Sequence, residues 1–359
     1  MIQTRKDSPI GVDLGPNSVK LVQFRSRGPN RSLLAAAWLN LPFPNNGQTD
    51  TERRTFVQSL RKLLSARKFG SRDAVITLPP DDVDVRPLTL PIDERDTADK
   101  VRIEAKSYLG YDPADAVLSH VVLGEAKSAG ERHLEVLAAS VPRSKVIHAI
   151  ELLSQAGLFV QAVDIAPLAL CRVLEASPHE SGHPIAAVDI GARSTCAVIL
   201  DNNLLRMARP IDMGSDALTD AIHKGLEISR DEAEILKRKH GAAPPADTPG
   251  QDAPQPSEFT DIARILHDIL REPLYRLAGE LQKLFRYFAA QNQGRSVERV
   301  LLVGGGSSLP NLDRVLASRL ATRVELPAPL SQITGRNAEL KDGSEGAFAV
   351  AAGLALREA

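Results

Sequence analysis

The sequence predicts an α/β fold whose two halves enclose a central cleft. Short runs of apolar, β-branched residues alternate along the chain with segments of helical periodicity. An Asp-x-Gly turn after a short strand occurs twice, at Asp13-Leu14-Gly15 and at Asp189-Ile190-Gly191. Another apolar strand, closer to the C-terminal end, leads directly into Gly304, Gly305 and Gly306. The repeated turn indicates an internal duplication, with one copy of the hairpin in each half.

The composition is that of an ordinary globular protein of about two to three folding units. The 359 residues include 43% hydrophobic and 25% charged residues. Lys and Arg total 44 against 45 Asp and Glu, so the chain lacks the basic excess expected of a nucleic-acid-binding protein. Cys171 and Cys196 are the two cysteines, too few for a disulfide scaffold or a four-cysteine zinc site. This cysteine usage favours a reducing compartment.

Neither a membrane-spanning helix nor a signal peptide is predicted. The longest run of apolar residues and glycine, residues 347–356, is about half of the roughly 20 residues that a spanning helix needs. Arg5 and Lys6 are not followed by an apolar core of signal-peptide length. We therefore expect a cytoplasmic protein that reaches the inner membrane only through protein partners.

The first part of the chain predicts a hairpin followed by a helix and a buried strand. The expected elements are strands at residues 10–14, 18–24, 33–39 and 74–78 and a helix at residues 51–68. From residue 84 to residue 163 the pattern predicts a compact inserted module. Its expected elements are strands at residues 85–90, 116–122, 134–141 and 158–165 and helices at residues 97–109 and 144–156.

The second half repeats the opening pattern and then becomes mainly helical. The expected elements are strands at residues 185–190, 195–200 and 300–303 and helices at residues 214–240, 259–291, 310–320 and 346–357. Pro273 leaves open whether residues 259–291 form one helix or two. Residues 241–257 are rich in Pro, Gly and Ala, and we expect a disordered excursion there because this composition cannot form a packed core.

The two Asp-x-Gly turns have the composition of phosphate-binding turns. Glycine lets backbone amides approach phosphate oxygens, and a carboxylate at the end of a strand can hold a hydrated divalent cation. A single turn of this kind is more often a plain hairpin, and a glycine run after a strand is more often a simple turn. Two such turns facing each other across a cleft could grip one triphosphate from both sides.

These motifs resemble those of the actin-like ATPase superfamily, the fold of actin, the Hsp70 chaperones and sugar kinases. Residues 10–20 (IGVDLGPNSVK) are similar to its first phosphate motif and residues 187–200 (AVDIGARSTCAVIL) to its second. Residues 299–320 (RVLLVGGGSSLPNLDRVLASRL) are similar to its adenosine motif. Glu234 and Lys237 have the E-x-x-K-R spacing that chaperone-type members use toward ribose and adenine, although an ion pair on a helix surface has the same spacing.

Within this superfamily the sequence resembles the PilM family of type IV pilus assembly proteins most closely, and the cell-division protein FtsA next. The matching stretches are residues 74–91, 100–118, 163–170 and 347–357. The resemblance implies a domain 1A at residues 1–83, an inserted 1C-like subdomain at 84–163, a return to 1A at 164–185, a domain 2 at 186–335, and a C-terminal helix at 336–359 that returns to 1A.

The resemblance implies ATP and Mg²⁺ as ligands, with Asp13 and Asp189 near the metal ion. The implied nucleotide contacts are Asp13, Gly15, Asn17, Ser18, Lys20, Asp189, Gly191, Arg193, Ser194, Glu234, Lys237, Gly304, Gly305 and Gly306. Lys20 lies on the strand after the first turn, where a solvated lysine is equally compatible with the sequence.

Two departures from the family pattern bear on catalysis and affinity. Ala166 stands where relatives often have an acidic residue, and alanine can neither orient a water molecule nor accept a proton. Asp164 could replace it, although two residues along a strand correspond to about 6–7 Å. Pro16 lacks an N–H for phosphate, a loss that the side chain of Asn17 could offset. We therefore expect nucleotide binding with weak or absent hydrolysis, and we assign no catalytic residue.

The expected function is an ATP-binding scaffold of the type IV pilus or a related secretion machine. The resemblance implies that it captures the N-terminal tail of a PilN-like membrane protein beside the inserted module. Residues 85–90, 108–111 and 158–160 are the candidates, although Tyr108 and Tyr111 could instead pack the core of the module. Contacts with other pilus assembly proteins and self-association are further expectations.

Two alternative functions remain open at this point. A small-molecule kinase of the same fold needs a catalytic carboxylate, and Ala166 argues against it. An FtsA-like filament protein has a body followed by a flexible linker and a C-terminal amphipathic helix. The last predicted helix of this sequence is instead the Ala-rich segment at residues 347–357, which argues against this class.

Overall fold

The structure is a computed structural model that describes residues 6–27, 30–41, 49–93, 95–128, 131–176, 182–242, 258–335, 340 and 345–357. The strands are β1 (Lys6–Asp7), β2 (Ile10–Leu14), β3 (Ser18–Arg27), β4 (Asn30–Asn40), β5 (Asp73–Thr77), β6 (Asp84–Pro91), β7 (Ala116–Ser128), β8 (Glu131–Pro142), β9 (Phe159–Asp164), β10 (Ile185–Ile190), β11 (Thr195–Asp201), β12 (Leu204–Ile211), β13 (Arg299–Val303) and β14 (Arg323–Glu325). The helices are α1 (Asp50–Ala66), α2 (Thr97–Tyr108), α3 (Arg143–Gln155), α4 (Ala166–Ala176), α5 (Ser215–Leu226), α6 (Arg230–His240), α7 (Glu258–Gln291), α8 (Leu312–Leu320), α9 (Pro329–Thr334) and α10 (Ala349–Ala355).

Two mixed sheets of the same topology form the two halves. In the first, β4, β3, β2, β5 and β9 lie side by side, and β1 also pairs with β3. In the second, the order is β12, β11, β10, β13 and β14. Each sheet combines an antiparallel hairpin with parallel strands on its other side. The internal duplication predicted from the Asp-x-Gly turns is therefore confirmed.

The register of the two hairpins places their aspartates at equivalent positions. Asp13 on β2 lies opposite Lys20 on β3 and beside Thr77 on the parallel strand β5. Asp189 on β10 lies opposite Cys196 on β11 and beside Val303 on the parallel strand β13. Because parallel strands end at the same edge of a sheet, each aspartate lies at the C-terminal edge together with the loops that follow.

Strands β6, β8 and β7 form a separate three-stranded sheet within the segment predicted as an inserted module. Helix α2 covers it, and Leu90, Val101, Val136 and Ala138 form a small core of its own. Helix α3 and strand β9 also fall within residues 84–163. Their apolar side chains, however, pack with the first sheet, and β9 pairs directly with β5.

Local sequence signals account for the starts of two helices. Thr49 and Glu52 form a reciprocal capping box at the start of α1, which extends to Ala66. Ser229 and Glu232 form the same box at α6. Helix α7 continues through Pro273, so the predicted segment is one helix and not two.

Several elements were not predicted, among them β12, β14 and α9, and one segment can be assessed only in part. Strand β12 contains Arg206, Arg209 and Pro210, which interrupt a simple alternation, while β14 and α9 are too short to show a period.

Of the predicted excursion at 241–257, Ala242 is buried and its N–H donates to the carbonyl of Pro310, which contradicts disorder at that point. Residues 243–257 lie outside the described residues.

Helix α10 packs unusually closely between the first sheet and α4. A Cβ on Gly11 of β2 would lie 1.9 Å from the carbonyl oxygen of Ala351, and one on Gly353 would lie 1.9 Å from that of Ala169. The helix is shorter than predicted and is preceded by a 3₁₀ turn at Glu345–Phe348. Within the described residues, no helix is both long and apolar enough to span a membrane.

Candidate functional site

Asp13 is bound on both sides by its neighbours in the first sheet. Lys20 Nζ donates to Asp13 Oδ2 at 3.3 Å, and Thr77 Oγ1 donates to Asp13 Oδ1 at 3.3 Å. The ammonium of Lys20 also lies 5.1 Å from the ring centroid of Trp38. Only 12% of the Lys20 side chain is exposed, so the solvated alternative for this lysine is wrong.

Asp189 lies near enough to Asp13 for the two carboxylates to interact electrostatically. The pKa of Asp189 is raised to about 7, chiefly by burial and also by the negative charge of Asp13, while the nearby ammonium of Lys20 opposes both. Two carboxylates in one partly buried place repel each other unless a proton or a cation lies between them. The pair is therefore suited to a divalent cation.

The donor set fits a hydrated magnesium ion that is shared with a phosphate. Among the described residues, no cluster of three or more His, Cys, Asp or Glu side chains could hold a metal ion. Mg²⁺ usually keeps several water ligands and binds through one or two carboxylates together with substrate phosphates. Asp13 and Asp189 supply two carboxylates, and the other ligands would have to come from water and phosphate.

The two Asp-x-Gly turns adopt the same closed geometry. The N–H of Gly15 donates to the carbonyl of Ser18 at 3.0 Å, and the N–H of Gly191 donates to the carbonyl of Ser194 at 2.9 Å. A Cβ on either glycine would lie within 2.9 Å of that carbonyl oxygen. Both glycines are therefore required by the turn itself, and their own N–H groups are already bonded.

The polar side chains of the turns reach the opposite half. Arg193 in the second turn donates from Nη1 to Oδ2 of Asp81, which follows β5 in the first half. Asn17 in the first turn donates from Nδ2 to Oδ2 of Asp216 on α5, at 3.4 Å. Arg193 and Asn17 were predicted as site residues from the sequence, whereas their partners Asp81 and Asp216 were not. Each contact joins residues more than a hundred positions apart, which no local pattern reveals.

Gly304 and Gly306 allow the backbone that follows β13 to lie directly against Asp189 and Ile190. Gly304 has φ +86°, and a Cβ there would lie 2.2 Å from Asp189 Oδ1. A Cβ on Gly306 would lie 2.5 Å from Ile190 Cγ2. Gly305 is exposed, and a Cβ there would lie 3.8 Å from Trp38 Cη2, an ordinary contact. The glycine run therefore lies beside Asp189, and its role as a nucleoside contact stays a prediction.

Glu234 and Lys237 form an internal network next to the second turn. Lys237 is buried, and its Nζ donates to Glu234 Oε2 at 2.6 Å, to Thr219 Oγ1 at 2.7 Å and to the carbonyl of Ser215 at 3.2 Å. Burial alone would raise the pKa of Glu234, but hydrogen bonds from Lys237 and Arg238 outweigh it and lower the pKa. The lysine has no proton left for a ligand in this arrangement, and its role here is to hold α6 against α5.

Asp164 is not available as a general base. Its carboxylate is buried and lies 2.7 Å from Arg172 Nη2 and 3.0 Å from Arg357 Nη1. Two guanidinium groups bind it, so its oxygens serve the packing of α4 and the segment after α10. Ala166 is the first residue of α4 and has no group to take its place. The sequence-based suggestion that Asp164 substitutes for the missing acid is therefore wrong.

A second candidate site is an open groove of about 1030 Å³ between the inserted sheet and the second half. Strand β6 forms one side and β12 the other, and both are edge strands of their sheets. Further lining comes from residues 108–111 and from Leu284 and Tyr287 of α7. Leu158 is buried in the core of the first sheet, and neither Phe159 nor Val160 lines this groove, so tail binding at residues 158–160 stays a prediction separate from the groove.

The groove combines aromatic and charged side chains. The guanidinium of Arg86 lies 4.5 Å from the ring centroid of Tyr108, whose pKa is raised by burial and by nearby Asp84. Burial also raises the pKa of Glu135, and Arg206 opposes this shift. The buried Nε of Arg206 has no hydrogen-bond partner among the described residues. The groove therefore offers apolar contact area together with polar groups that a peptide could satisfy.

Sheet topology and the facing aspartates define an actin-like ATPase fold. A PilM–PilN type IV pilus biogenesis complex has a TM-score of 0.77 and 26% identity, covering 97% of this chain and 98% of that chain. The ethanolamine utilization protein EutJ of Carboxydothermus hydrogenoformans has a TM-score of 0.56 and 17% identity, covering 98% of this chain and 89% of that chain. MreB5 of Spiroplasma citri bound to ADP has a TM-score of 0.51 and 12% identity, covering 96% of this chain and 94% of that chain. The last two show the fold alone.

The family model of the type IV pilus assembly protein PilM matches residues 11–248, more than half of the chain. The chain therefore belongs to the PilM family. The family model of the cell division protein FtsA matches residues 186–353. FtsA of Streptococcus pneumoniae serotype 2 is 27% identical over 204 residues, which are 55% of this chain and 43% of that protein. FtsA of Bacillus subtilis is 31% identical over 112 residues, 31% of this chain and 25% of that protein. The chain thus spans less than half the length of these curated relatives.

Proposed function

We propose that this chain is a nucleotide-binding scaffold of the type IV pilus assembly machine, and that its groove holds the cytoplasmic tail of a PilN-like membrane protein. The observation that carries the proposal is the groove between β6 and β12, in a chain that matches a PilM–PilN complex over nearly its whole length. Such a scaffold would lie in the cytoplasm and reach the inner membrane through this partner.

The nucleotide part of the proposal rests on the paired carboxylates and the glycine run. Asp13 and Asp189 would hold Mg²⁺, and Gly304 and Gly306 let the backbone after β13 pack directly against Asp189 and Ile190. The metal ion would neutralise phosphate charge when bound. Without an available general base at Asp164 or Ala166, the residues of this chain support binding and orientation of ATP rather than its rapid hydrolysis.

The tail part of the proposal rests on the chemistry of two exposed strand edges. An extended peptide can add to an edge strand through main-chain hydrogen bonds, while its side chains enter flanking pockets. Tyr108, Tyr111 and Tyr287 provide aromatic walls around these edges. Pro87 removes one N–H from β6 and Pro210 removes one from β12, so neither strand offers an uninterrupted row of donors.

A binding titration with a synthetic tail peptide tests this proposal. The peptide would be the N-terminal cytoplasmic segment of the PilN-like protein from the same genome, and we expect a micromolar Kd, about −8 kcal/mol. Replacing Tyr287 by alanine should weaken binding about tenfold, since a buried aromatic contact typically contributes more than 1 kcal/mol at an interface.

Tyr275→Ala is the matched control, because Tyr275 lies on the same helix and is also partly exposed but does not line the groove. Its Kd should equal that of the unchanged protein. Equal weakening by both substitutions, or none by Tyr287→Ala, would place the tail elsewhere.

The match of residues 186–353 to FtsA favours a second candidate function, assembly into filaments. Sedimentation of the full chain with and without Mg–ATP distinguishes the two. A scaffold is expected to remain at one small oligomeric state, whereas a filament-forming protein would sediment in a concentration-dependent manner with nucleotide.

A further inference from the structure

We propose that Asp81 and Asp216 act as internal stand-ins for the phosphates of the nucleotide, and that Asp81 couples the phosphate site to the groove. The inference rests on the proposed function, because it concerns how nucleotide and tail would regulate each other on one chain. Neither aspartate belongs to the Asp-x-Gly turns.

Arg193 provides the first observation. It lies in the turn between β10 and β11, and its guanidinium binds the carboxylate of Asp81 from the other half. The Arg193 side chain is 35% exposed and that of Asp81 is 43% exposed, so a solute in the cleft can reach the pair. The contact is therefore one that a ligand could replace.

Asn17 makes the corresponding contact from the first turn. Its side-chain amide donates to Asp216 at 3.4 Å, and Asp216 lies in the first turn of α5 in the second half. In both copies of the duplicated hairpin, a donor on the turn thus meets a carboxylate from the facing half. Two equivalent donors directed at anionic groups across the same cleft indicate a place for a larger anion between them.

Phosphate is a stronger partner for these donors than a carboxylate. It carries more negative charge, and its oxygens match the planar guanidinium group in a bidentate manner. A triphosphate between the turns therefore competes with Asp81 for Arg193 and with Asp216 for Asn17. When it succeeds, the carboxylate of Asp81 loses its cation.

Asp81 is also part of the groove. It lines the groove together with Asp82 and Val83, and β6 starts at Asp84 immediately afterwards. Capture of Arg193 by phosphate frees a negative charge at the entrance of β6. A tail whose amino terminus or basic side chain meets Asp81 then binds more tightly. Because such coupling is reciprocal, the tail strengthens nucleotide binding by the same factor.

A titration of the full chain with Mg–ATP tests the stand-in role without any tail. Trp38 is the sole tryptophan of the sequence and adjoins Lys20 and Gly305, so its fluorescence can follow binding. Asp81→Asn keeps the size of the side chain and removes the competing charge. We expect the Kd for Mg–ATP to fall about twofold to fivefold, because this fold-change corresponds to the energy of a typical partly exposed ion pair.

Asp82→Asn is the charge-matched control. Asp82 is the next residue, and it pairs with Lys145 at 3.0 Å. Its nucleotide affinity should equal that of the unchanged protein. An unchanged Kd in Asp81→Asn, or the same change in both variants, would overturn the stand-in role.

Hydrogen–deuterium exchange tests the link to the groove. Saturating Mg–ATP should change the exchange of residues 81–90 in the unchanged protein and should have little effect there in Asp81→Asn. No change in the unchanged protein at saturation would overturn the coupling while leaving the proposed nucleotide site intact. Absence of any Mg–ATP binding to the unchanged protein would instead remove the nucleotide part of the proposed function, and this inference with it.

Discussion

At the residue scale, the proposed nucleotide binding depends on two carboxylates that share the cleft. Asp13 is held by Lys20 and Thr77, and Asp189 carries a raised pKa because it is buried near Asp13. The sequence predicted this pair because each aspartate ends a strand before a glycine turn. Asp81 and Asp216 were not predictable, because their contacts form only when the two halves meet.

Removing either carboxylate should weaken Mg–ATP binding. A charge-assisted contact contributes about 1.5–3 kcal/mol, so Asp13→Ala and Asp189→Ala should each raise the Kd roughly tenfold to a hundredfold. Asp73→Ala is the control, since Asp73 lies at the other end of β5 and is exposed. Calorimetric titration gives the Kd, and wild-type affinity in both cleft variants would contradict the assignment.

The affinity for Mg–ATP should also depend on pH through Asp189. Its pKa of about 7 means that the carboxyl is mostly protonated at pH 6 and must lose its proton to face a cation. Affinity should therefore fall as the pH is lowered from 8 to 6, and Asp189→Asn should show only the titration of the nucleotide itself. An identical pH profile in both proteins would contradict this role.

The raised pKa of Asp189 affects the stability of the free protein in the opposite direction, because this stability should fall as the pH rises. The pKa in the folded state is raised above the ordinary value of 3.8. Between these two values the folded state therefore keeps a proton at Asp189 that the unfolded state has already released. This contribution is fully present below about pH 4 and is lost as the pH rises through about 7. Mg²⁺ should therefore stabilise the protein more at pH 8 than at pH 6.

At the scale of elements, the close approach of the glycine run to β10 determines where the carboxylate of Asp189 lies. Gly304→Ala places a Cβ 2.2 Å from Asp189 Oδ1 in a backbone region that alanine rarely adopts, and we expect a loss of at least about 2 kcal/mol of unfolding free energy. Gly305→Ala is the matched control, with a change within about 0.5 kcal/mol. Chemical denaturation measures the unfolding free energy of both variants. Equal stability of the two would show that the backbone after β13 tolerates a side chain at position 304.

Element types were predictable where periodicity or capping is strong. The hairpins and α1 were predicted, since their apolar spacing or capping residues are local. Strand β12 was missed because Arg206, Arg209 and Pro210 interrupt its alternation. That omission also concealed one side of the groove.

At the scale of the whole molecule, the lack of an available carboxylate at positions 164 and 166 predicts slow turnover. Asp164 is held by Arg172 and Arg357, and Ala166 cannot accept a proton. Phosphate release by the isolated protein should therefore be slow or absent. Ala166→Glu should raise it if that acid is the missing element, with Ala166→Gln as the uncharged control. Ordinary enzymatic rates in the unchanged protein would contradict this account.

The groove is the feature of the whole molecule that the sequence predicted least completely. Residues 85–90 and 108–111 were predicted as candidates from their local strand and aromatic pattern, and most of them line the groove. Met207 and Tyr287 come from the second half and meet them only through the packing of β12 and α7. A surface formed between halves cannot be assembled from one-dimensional patterns.

Hydrogen–deuterium exchange of the full chain with a PilN-like tail peptide tests the central proposal most directly. If the tail binds as an added strand, the peptide should slow exchange along β6 or β12 and leave the exposed edge strand β9 unchanged. Protection confined to β9, or peptide binding that leaves the amides of both β6 and β12 unchanged, would contradict the docking of a membrane-protein tail in this groove.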